Sequence, residues 1–240
     1  MIAIPAVDLR EGRCVQLVGG RPSEEKVSLD NPSLVALRWW EIGFRQLHVV
    51  DLDAALGTGT NDSVVGEVVA GTPADTQVGG GVRADDRADI LFATGAQRIV
   101  VGTRAVDDPE WLARLVARWP HRIVVAADVS DGMVLRKGWT EVSALEVEEF
   151  IATLADLPLA AVLCTDVDRE GRMEGIDLDG VRRLIKVSPH PVQVSGGITS
   201  MDDLAALRDA GAAGAVLGMA LYTGRLDAEA VARTYGGGEG

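Results

Sequence analysis

A stretch that occurs twice, half a chain apart, most constrains what this sequence can fold into. The first copy begins with GGGVR at 79–83 and ends at Gly102, and the second begins with SGGIT at 195–199 and ends at Gly218. Gly81 and Gly197 are 116 residues apart, as are Gly102 and Gly218. In each copy an apolar run ends in paired glycines, and a helical stretch, a second apolar run and another glycine follow. This repeat predicts two structurally equivalent halves.

The paired glycines also predict two anion sites. Glycine lets main-chain N–H groups approach an anion closely, and a following helix adds the positive end of its dipole. Arg83 and Arg104 stand beside the first of these cradles, whereas the second has no adjacent Arg or Lys and depends on main-chain N–H groups and Thr199. Two cradles half a chain apart indicate a ligand with a phosphate at each end.

Apolar, β-branched runs alternate with helical patterns along the whole chain. The predicted strands are 2–8, 46–53, 76–78, 98–101, 123–128, 160–166, 192–195 and 215–217. The predicted helices are 32–42, 62–69, 85–93, 109–119, 144–155, 178–185, 201–210 and 228–234. Eight βα units in 240 residues predict a single (β/α)₈ TIM barrel with halves at about 1–120 and 121–235 and a flexible tail at 236–240. A doubly wound open sheet is the main alternative.

Aspartates end four of these strands in matched positions. Asp8 corresponds to Asp128, and Asp51 corresponds to Asp166, at nearly the repeat spacing. In (β/α)₈ barrels the carboxyl ends of the strands carry the active site, so Asp8 and Asp128 are expected to face each other there. Two opposed carboxylates can divide proton removal and proton donation between them. Asp51 and Asp166 are expected to hold loops by accepting main-chain N–H bonds, although Thr165 and Asp166 also lie at the mouth of their strand.

Composition excludes several classes of partner. The net charge of −13 argues against nucleic acid and anionic membranes, and no apolar run approaches the roughly 20 residues of a membrane span. Cys14 and Cys164 form no metal or redox spacing, which favours buried thiols in a reducing cytoplasm. None of the three histidines, His48 among them, has ligand spacing. We therefore expect no metal and a structural role for each histidine.

Two longer segments interrupt the regular pattern. The segment 9–31 follows the first predicted strand, and 130–143 follows the fifth. Both are predicted as loops at the catalytic face, where long loops often act as lids. Trp139 in the second loop is a candidate for stacking on a planar ring, and the alternative is a packing role within its own hairpin.

Together these motifs resemble the phosphoribosyl isomerase family of the histidine pathway. The residues that carry the resemblance are PAVDL at 5–9, HVVDLD at 48–53, QVGGGVR at 77–83, VGT at 101–103, GW at 138–139, CTD at 164–166 and SGGI at 195–198. They cover nearly the whole chain in order. The family is a (β/α)₈ barrel that converts an aminoaldose into an aminoketose by an Amadori rearrangement without a cofactor, and its substrate is an imidazole carboxamide ribonucleotide with a phosphate at each end.

The resemblance also implies a role for individual residues. Asp8 is the implied proton acceptor and Asp128 the implied proton donor. The residues implied to hold the two phosphates are Gly80, Gly81, Gly102 and Thr103 at one end and Gly196, Gly197, Gly218 and Met219 at the other. Arg83, Trp139, Thr165 and Asp166 complete the implied substrate site. The expected partner is thus a bis-phosphorylated small molecule, and the chain is expected to be a monomer.

Some positions depart from the family pattern and leave alternatives open. The family usually has Asp where this chain has Glu170 before Gly171, so the acid is either Asp128 or Glu170. A dual-substrate branch that also isomerises phosphoribosyl anthranilate tends to carry Arg at the positions of Gln16 and Lys137 and Ser at that of Gly79. An anthranilate carboxylate favours a bidentate Arg, so we favour the single-substrate enzyme. A related cyclase and a non-catalytic phosphometabolite-binding barrel are the remaining alternatives.

Overall fold

The computed structural model describes residues 1–136, 139 and 141–238. Twelve strands are assigned within these residues. They are β1 (Ile2–Arg10), β2 (Arg13–Leu17), β3 (Glu25–Leu29), β4 (Gln46–Asp51), β5 (Asp75–Gly79), β6 (Arg98–Val101), β7 (Ile123–Ser130), β8 (Met133–Arg136), β9 (Glu141–Glu146), β10 (Ala161–Asp166), β11 (Val192–Ser195) and β12 (Gly214–Leu217).

The α-helices of the described chain lie between and after the strands, and a single 3₁₀ turn covers Pro22–Glu24. They are α1 (Pro32–Ile42), α2 (Leu52–Leu56), α3 (Asp62–Ala70), α4 (Asp85–Ala93), α5 (Thr103–Asp107), α6 (Pro109–Arg118), α7 (Val147–Thr153), α8 (Leu178–Val187), α9 (Met201–Ala210), α10 (Met219–Tyr222) and α11 (Ala228–Tyr235).

Eight of the strands close into a parallel ring. Their order is β1, β4, β5, β6, β7, β10, β11 and β12. The ring closes where β12 pairs with β1 and where β7 pairs with β10, both in parallel register. The predicted (β/α)₈ barrel is confirmed, and the open doubly wound sheet is excluded because this ring has no free edge between its first and last strands.

Apolar side chains fill both sides of the ring. Inside the barrel, one buried cluster comprises Ile4, Ala6, Val100, Val124, Ala161, Leu163 and Val216. A much larger cluster lies between the strands and the surrounding helices. Because each strand is buried on both faces, its sequence is a nearly continuous apolar run rather than an alternating one.

The two segments predicted as long loops instead contain β-hairpins. β1 continues to Arg10 and pairs antiparallel with β2, which pairs with β3; β7 likewise continues into β8 and β9. Both turns place an acidic residue and a glycine at positive φ, at 48° and 76° for Glu11 and Gly12 and at 48° and 79° for Asp131 and Gly132. These angles suit type I′ turns, whose twist matches that of the strands. The loop prediction is therefore wrong where these strands lie, whereas residues 18–24 and 30–31 belong to no strand. Residues 137, 138 and 140 lie outside the described part of the chain.

Some element boundaries also differ from the prediction. The second barrel strand ends at Asp51 rather than at 53, because the Asp51 carboxylate accepts the Ala54 N–H (3.1 Å) and starts α2. The helix predicted from 144 begins at Val147, since β9 extends to Glu146. Gly236, assigned to the flexible tail, is buried and its carbonyl accepts the Arg45 N–H at 2.9 Å. The division into two halves stays a prediction.

Asp51 anchors the loop after β4. Its fully buried carboxylate accepts the Asn61 N–H (2.8 Å), the Asn61 side-chain amide (2.8 Å) and Arg87 Nη2 (3.1 Å) besides the Ala54 N–H. The repeat counterpart, Asp166, has a side chain that is 32% exposed and pairs with Arg169 Nε at 3.2 Å. Equivalent aspartates thus have a buried network in one half and a half-exposed ion pair in the other.

We expect Asp51→Ala to lower the free energy of unfolding by about 3–5 kcal/mol, because it removes one of the two carboxylates paired with Arg87 and leaves the buried Asn61 amide without its acceptor. The matched variant Asp166→Ala removes a half-exposed pair and should cost no more than about 1 kcal/mol. Chemical denaturation of the ligand-free protein measures both changes. Equal losses in the two variants would contradict this assignment.

Candidate active site

A cavity of about 250 Å³ opens at the carboxyl ends of the ring strands. Asp8 lines it from β1 and Asp128 from β7, the first and fifth strands in ring order. Thr165 at the end of β10 and Glu170 in the loop after it also line the cavity. The structure therefore brings the two predicted aspartates together in one cavity and adds Glu170 as a third carboxyl group.

The Asp8 carboxyl group is held at the cavity wall by Gln16. Gln16 Nε2 donates to Asp8 Oδ2 at 3.2 Å and to the Val15 carbonyl at 3.0 Å. The pKa of Asp8 is raised to about 7, chiefly by burial and also by the negative charge of Glu170, while the hydrogen bond from Gln16 opposes the rise. Asp8 can therefore exchange a proton near neutral pH.

Asp128 is similarly desolvated but accepts more hydrogen bonds. The Trp139 indole and the Thr165 hydroxyl donate to its carboxylate. Burial raises the pKa of Asp128, and these two hydrogen bonds oppose that rise. Trp139 lies on the cavity wall, and its ring packs so closely on Gly20 that a Cβ at Gly20 would be 2.5 Å from the ring.

Glu170 combines a raised pKa with a fixed backbone. The pKa of Glu170 is raised to about 7, chiefly by burial; the Ser195 hydrogen bond (3.4 Å) opposes the rise, and the charges of Asp128 and Asp166 add to it. The Glu170 carbonyl accepts the Gly19 N–H at 3.1 Å, which ties this loop to the first hairpin. A carboxyl group with this pKa can hold a proton at neutral pH, as a general acid must.

The first cradle lies on the same cavity. Gly80, Gly81, Gly102 and Thr103 all line it, and Gly102 directly precedes α5. Gly80 has φ 106°, and a Cβ there would overlap the Asp51 carbonyl oxygen. Only glycine fits this close approach of two strand ends, and Gly80 itself lines the cavity.

The second cradle lies in a narrow recess beside the main cavity. Gly196, Gly197, Gly218 and Met219 line this recess of about 20 Å³. Glu170, Ser195, Val216 and Gly218 line both spaces. Gly196 has φ 94°, and a Cβ there would overlap the Asp166 carbonyl oxygen, which repeats the geometry of Gly80. The two cradles thus share one construction.

The cationic side chains near the cradles are already paired with the protein. Arg83 lines the cavity but donates to the carbonyls of Ala54 (3.1 Å) and Ala55 (2.7 Å) at the end of α2. Near the second cradle the sequence shows no adjacent cation, yet the structure places Arg169 there: its Cβ would lie 3.1 Å from a Cβ at Gly197. Arg169 pairs with Asp166 and donates to the Gly175 carbonyl at 3.1 Å.

Asp166 differs in location from the other predicted site residues. It lines an adjoining cavity together with Thr165, Arg169 and Gly196, not the cavity that holds Asp8 and Asp128. Asp166 therefore adjoins the second cradle through its ion pair with Arg169 and does not share a cavity with the paired aspartates.

Several residues of the site were not predicted from the sequence. His48 was assigned a structural role but lines the cavity, and Gln16, Ser195 and Leu163 line it too. Behind His48 lie Gln77 and Gln193, whose separation of 116 residues matches the repeat and was the available signal. Lys137 and Gly138, part of the family comparison, lie outside the described residues.

Across the described residues, no group of three His, Cys, Asp or Glu side chains is arranged to hold a metal ion. No helix in this part of the chain has the length and apolar character needed to span a membrane. Cys14 and Cys164 are both buried and free, and burial raises the pKa of each thiol to about 12. Neither thiol is therefore a ready nucleophile.

Comparison with known proteins places these features in a family. The model of the family described as histidine biosynthesis protein matches residues 2–227. A protein of Myxococcus xanthus is 51% identical over 238 residues, which cover 99% of this chain and 100% of that protein. One of Gemmatimonas aurantiaca is 50% identical over 236 residues, 98% and 100% of the two chains, and one of Methanothrix thermoacetophila is 43% identical over 225 residues, 93% of each.

All three relatives carry the name 1-(5-phosphoribosyl)-5-((5-phosphoribosylamino)methylideneamino) imidazole-4-carboxamide isomerase. The identity extends over nearly the full length of each pair, and the closed barrel with its duplicated glycine cradles agrees with it. This chain belongs to the histidine biosynthesis protein family.

Proposed function

We propose that this protein isomerises the compound named in its relatives, an imidazole carboxamide ribonucleotide joined through a formimino nitrogen to a second phosphoribose, from the aminoaldose to the aminoketose. The observation that carries the proposal is the placement of Asp8 and Asp128 on one cavity that the first cradle lines and the second adjoins. A bis-phosphorylated ligand bound at both cradles has its middle beside these carboxyl groups. The full-length identity to named isomerases supports the same reaction.

The first step opens the furanose ring. A protonated carboxyl group donates to the ring oxygen, the bond from C1 to that oxygen breaks, and the nitrogen lone pair forms an iminium ion at C1. Asp128 is the proposed donor: burial raises its pKa, which favours the protonated form that the step requires. Its hydrogen bonds from Trp139 and Thr165 fix the orientation of the carboxyl group.

The second step moves a proton from C2. Asp8, as the carboxylate, removes that proton, and the C–H electrons form the C1–C2 double bond while the iminium nitrogen regains its lone pair. The resulting enolamine becomes the ketose when C1 is protonated and the C2 hydroxyl loses its proton. The iminium ion is the electron sink, so the two carboxyl groups perform the acid–base work.

Glu170 is the second candidate for the acid. Its pKa is raised to about 7, and it lines both the main cavity and the recess of the second cradle. It is one methylene longer than the aspartate usual at this position, which displaces its proton by roughly 1 Å, a distance that catalysis can detect. We favour Asp128, which stands opposite Asp8 in the ring.

The residues of the site favour a single-substrate isomerase over a dual-substrate one. Gln16 stands where the dual-substrate branch tends to have Arg, and its amide already donates to Asp8 and to the Val15 carbonyl. A neutral amide in that position offers no charge for an anthranilate carboxylate. We further propose that the protein works as a cytoplasmic monomer with no nucleic acid or membrane partner and with no cofactor.

The purified protein should convert the formimino-linked bis-phosphoribosyl imidazole carboxamide to its ketose, and phosphoribosyl anthranilate should react far more slowly or not at all. Steady-state assays with each substrate measure this. Comparable kcat/KM values for both substrates would contradict the single-substrate proposal. Tight binding of the imidazole compound without turnover would instead identify a non-catalytic binding barrel.

Asp8→Asn and Asp128→Asn should each lower kcat by at least about 10²-fold, the lower end of the contribution of a well-placed acid or base. Both variants should unfold at denaturant concentrations no lower than the wild type, because the ionised side chains they replace are desolvated. Glu170→Gln should lower kcat by a smaller factor than either of them. If Glu170→Gln loses more kcat than Asp128→Asn, Glu170 is the acid, and near-full turnover in Asp8→Asn rules out Asp8 as the base.

The pH dependence should follow the ionisation of Asp8. The base is active only when ionised and its pKa is about 7, so kcat/KM should rise with pH through that region. Gln16→Met removes the donor that lowers this pKa, so the rising limb should move to higher pH. Measured kcat/KM profiles test both statements. A wild-type limb near the ordinary value of 3.8 would contradict the raised pKa of Asp8, and a Gln16→Met limb at lower pH would exclude Asp8 as the titrating base.

A further inference from the structure

Three polar side chains lie inside the barrel, and the proposed reaction assigns them no task. They are His48 on β4, Gln77 on β5 and Gln193 on β11, which are 7%, 0% and 7% exposed. His48 is opposite Ala6 of β1 and Gln77 of β5, which places it one inward-facing layer below Asp8. Buried polar groups such as these need hydrogen-bond partners, and the partners they have define their protonation.

The two glutamines form a reciprocal pair across the barrel. Gln77 Nε2 donates to Gln193 Oε1 at 2.8 Å, and Gln193 Nε2 donates to Gln77 Oε1 at 3.0 Å. They come from the third and seventh strands of the ring, so the pair joins the two halves. The second hydrogen of Gln77 Nε2 points to His48 Nδ1 at 3.0 Å. In this arrangement His48 Nδ1 is an acceptor.

An accepting Nδ1 requires the ring proton to be on Nε2. A proton on Nδ1 would face the N–H donor of Gln77, so this contact disfavours the doubly protonated, charged ring. Burial also lowers the pKa of His48 to about 4. Within residues 1–136, 139 and 141–238 no atom accepts a hydrogen bond from Nε2, and His48 lines the main cavity. The Nε2 edge is therefore the one that meets the cavity.

The opposite tautomer is possible only if both glutamine amides invert together, because the pair is reciprocal. It would turn an Nε2 lone pair toward a cavity lined by Asp8, Asp128 and Glu170. Carboxyl oxygens are acceptors, and their negative charge favours a donor at this position over a second acceptor. The electrostatics of the cavity and the hydrogen-bond network thus favour the same tautomer.

We infer that Gln77 and Gln193 are positioning residues that hold His48 as a neutral ring with its Nε2–H toward the cavity, where it donates to an acceptor atom in the middle of the ligand. The statement about the ligand rests on the proposed function, and the statement about the tautomer does not. A fixed, neutral donor in this position can orient a hydroxyl or linking nitrogen of a bis-phosphorylated molecule without competing for the protons of Asp8 or Asp128.

The test is long-range ¹H–¹⁵N spectroscopy of the full chain labelled with ¹⁵N-histidine. Only three histidines are present, and His121→Asn and His190→Asn assign the other two signals. Wild-type His48 should show a pyridine-like Nδ1 and a pyrrole-like Nε2, unchanged from about pH 5 to about pH 8, where an ordinary histidine titrates. A protonated Nδ1 or a titrating ring in the wild type would overturn the inference without the need for any variant.

Two variants separate the parts of the network. Gln77→Glu replaces the donor by an acceptor, so His48 should take a proton on Nδ1. Gln193→Leu frees the Gln77 amide to rotate, so signals of both tautomers should appear. Unchanged His48 signals in both variants would show that the glutamines do not position the ring. Addition of the ketose product should shift Nε2 more than Nδ1, and the absence of any shift despite normal turnover would refute the ligand contact while leaving the proposed reaction intact.

Discussion

The site depends on two points where a glycine contacts the main chain of the neighbouring strand. A side chain at Gly80 would overlap the Asp51 carbonyl, and one at Gly196 would overlap the Asp166 carbonyl. Both glycines have positive φ, at 106° and 94°, so the close approach and the backbone conformation require the same residue. These contacts hold the carboxyl end of β5 against that of β4, and the carboxyl end of β11 against that of β10. They leave no room for a side chain at either cradle. The first cradle lines the cavity that holds the paired carboxyl groups, and the second lines the recess beside it.

The two glycine contacts share this construction, but the adjacent aspartate is used differently at each of them. Asp51 is buried under Asn61 and Arg87. At the equivalent places 115 and 116 residues later the chain has Ile176 and Asp203, and Asp203 instead forms a capping box with Ser200 at the start of α9. Asp166 therefore lacks counterparts of the Asn61 and Arg87 donors that bury Asp51, and a cavity remains beside it. One half stabilises the loop with a buried network, whereas the other leaves space and a carboxylate near the second cradle.

The sequence predicts the barrel, its order of strands and the pairing of Asp8 with Asp128, because these follow from periodicity and from a repeat of about 116 residues. It does not predict the hairpins, although the Asp-Gly dipeptide at 131–132 is a strong turn signal, because strands that extend beyond a barrel resemble loops in composition. The role of Gln16 and the location of His48 also escape prediction. Hydrogen bonds between residues distant along the chain decide them, and the local sequence around a buried glutamine or histidine resembles that of any other strand.

The proposed ligand carries two phosphates, whereas the chain has a net charge of −13. Burial of the carboxyl groups reduces their repulsion of the phosphates, because carboxyl groups with pKa values near 7 carry less negative charge at neutral pH than ordinary ones. The most direct test of the proposed binding mode is a crystal structure with the ketose product bound. It should place one phosphate on the N–H groups of Gly81 and Thr103, the other on those of Gly197 and Met219, and C2 of the opened sugar between Asp8 and Asp128. A product with both phosphates away from the glycines, or with C2 remote from either aspartate, would contradict the account.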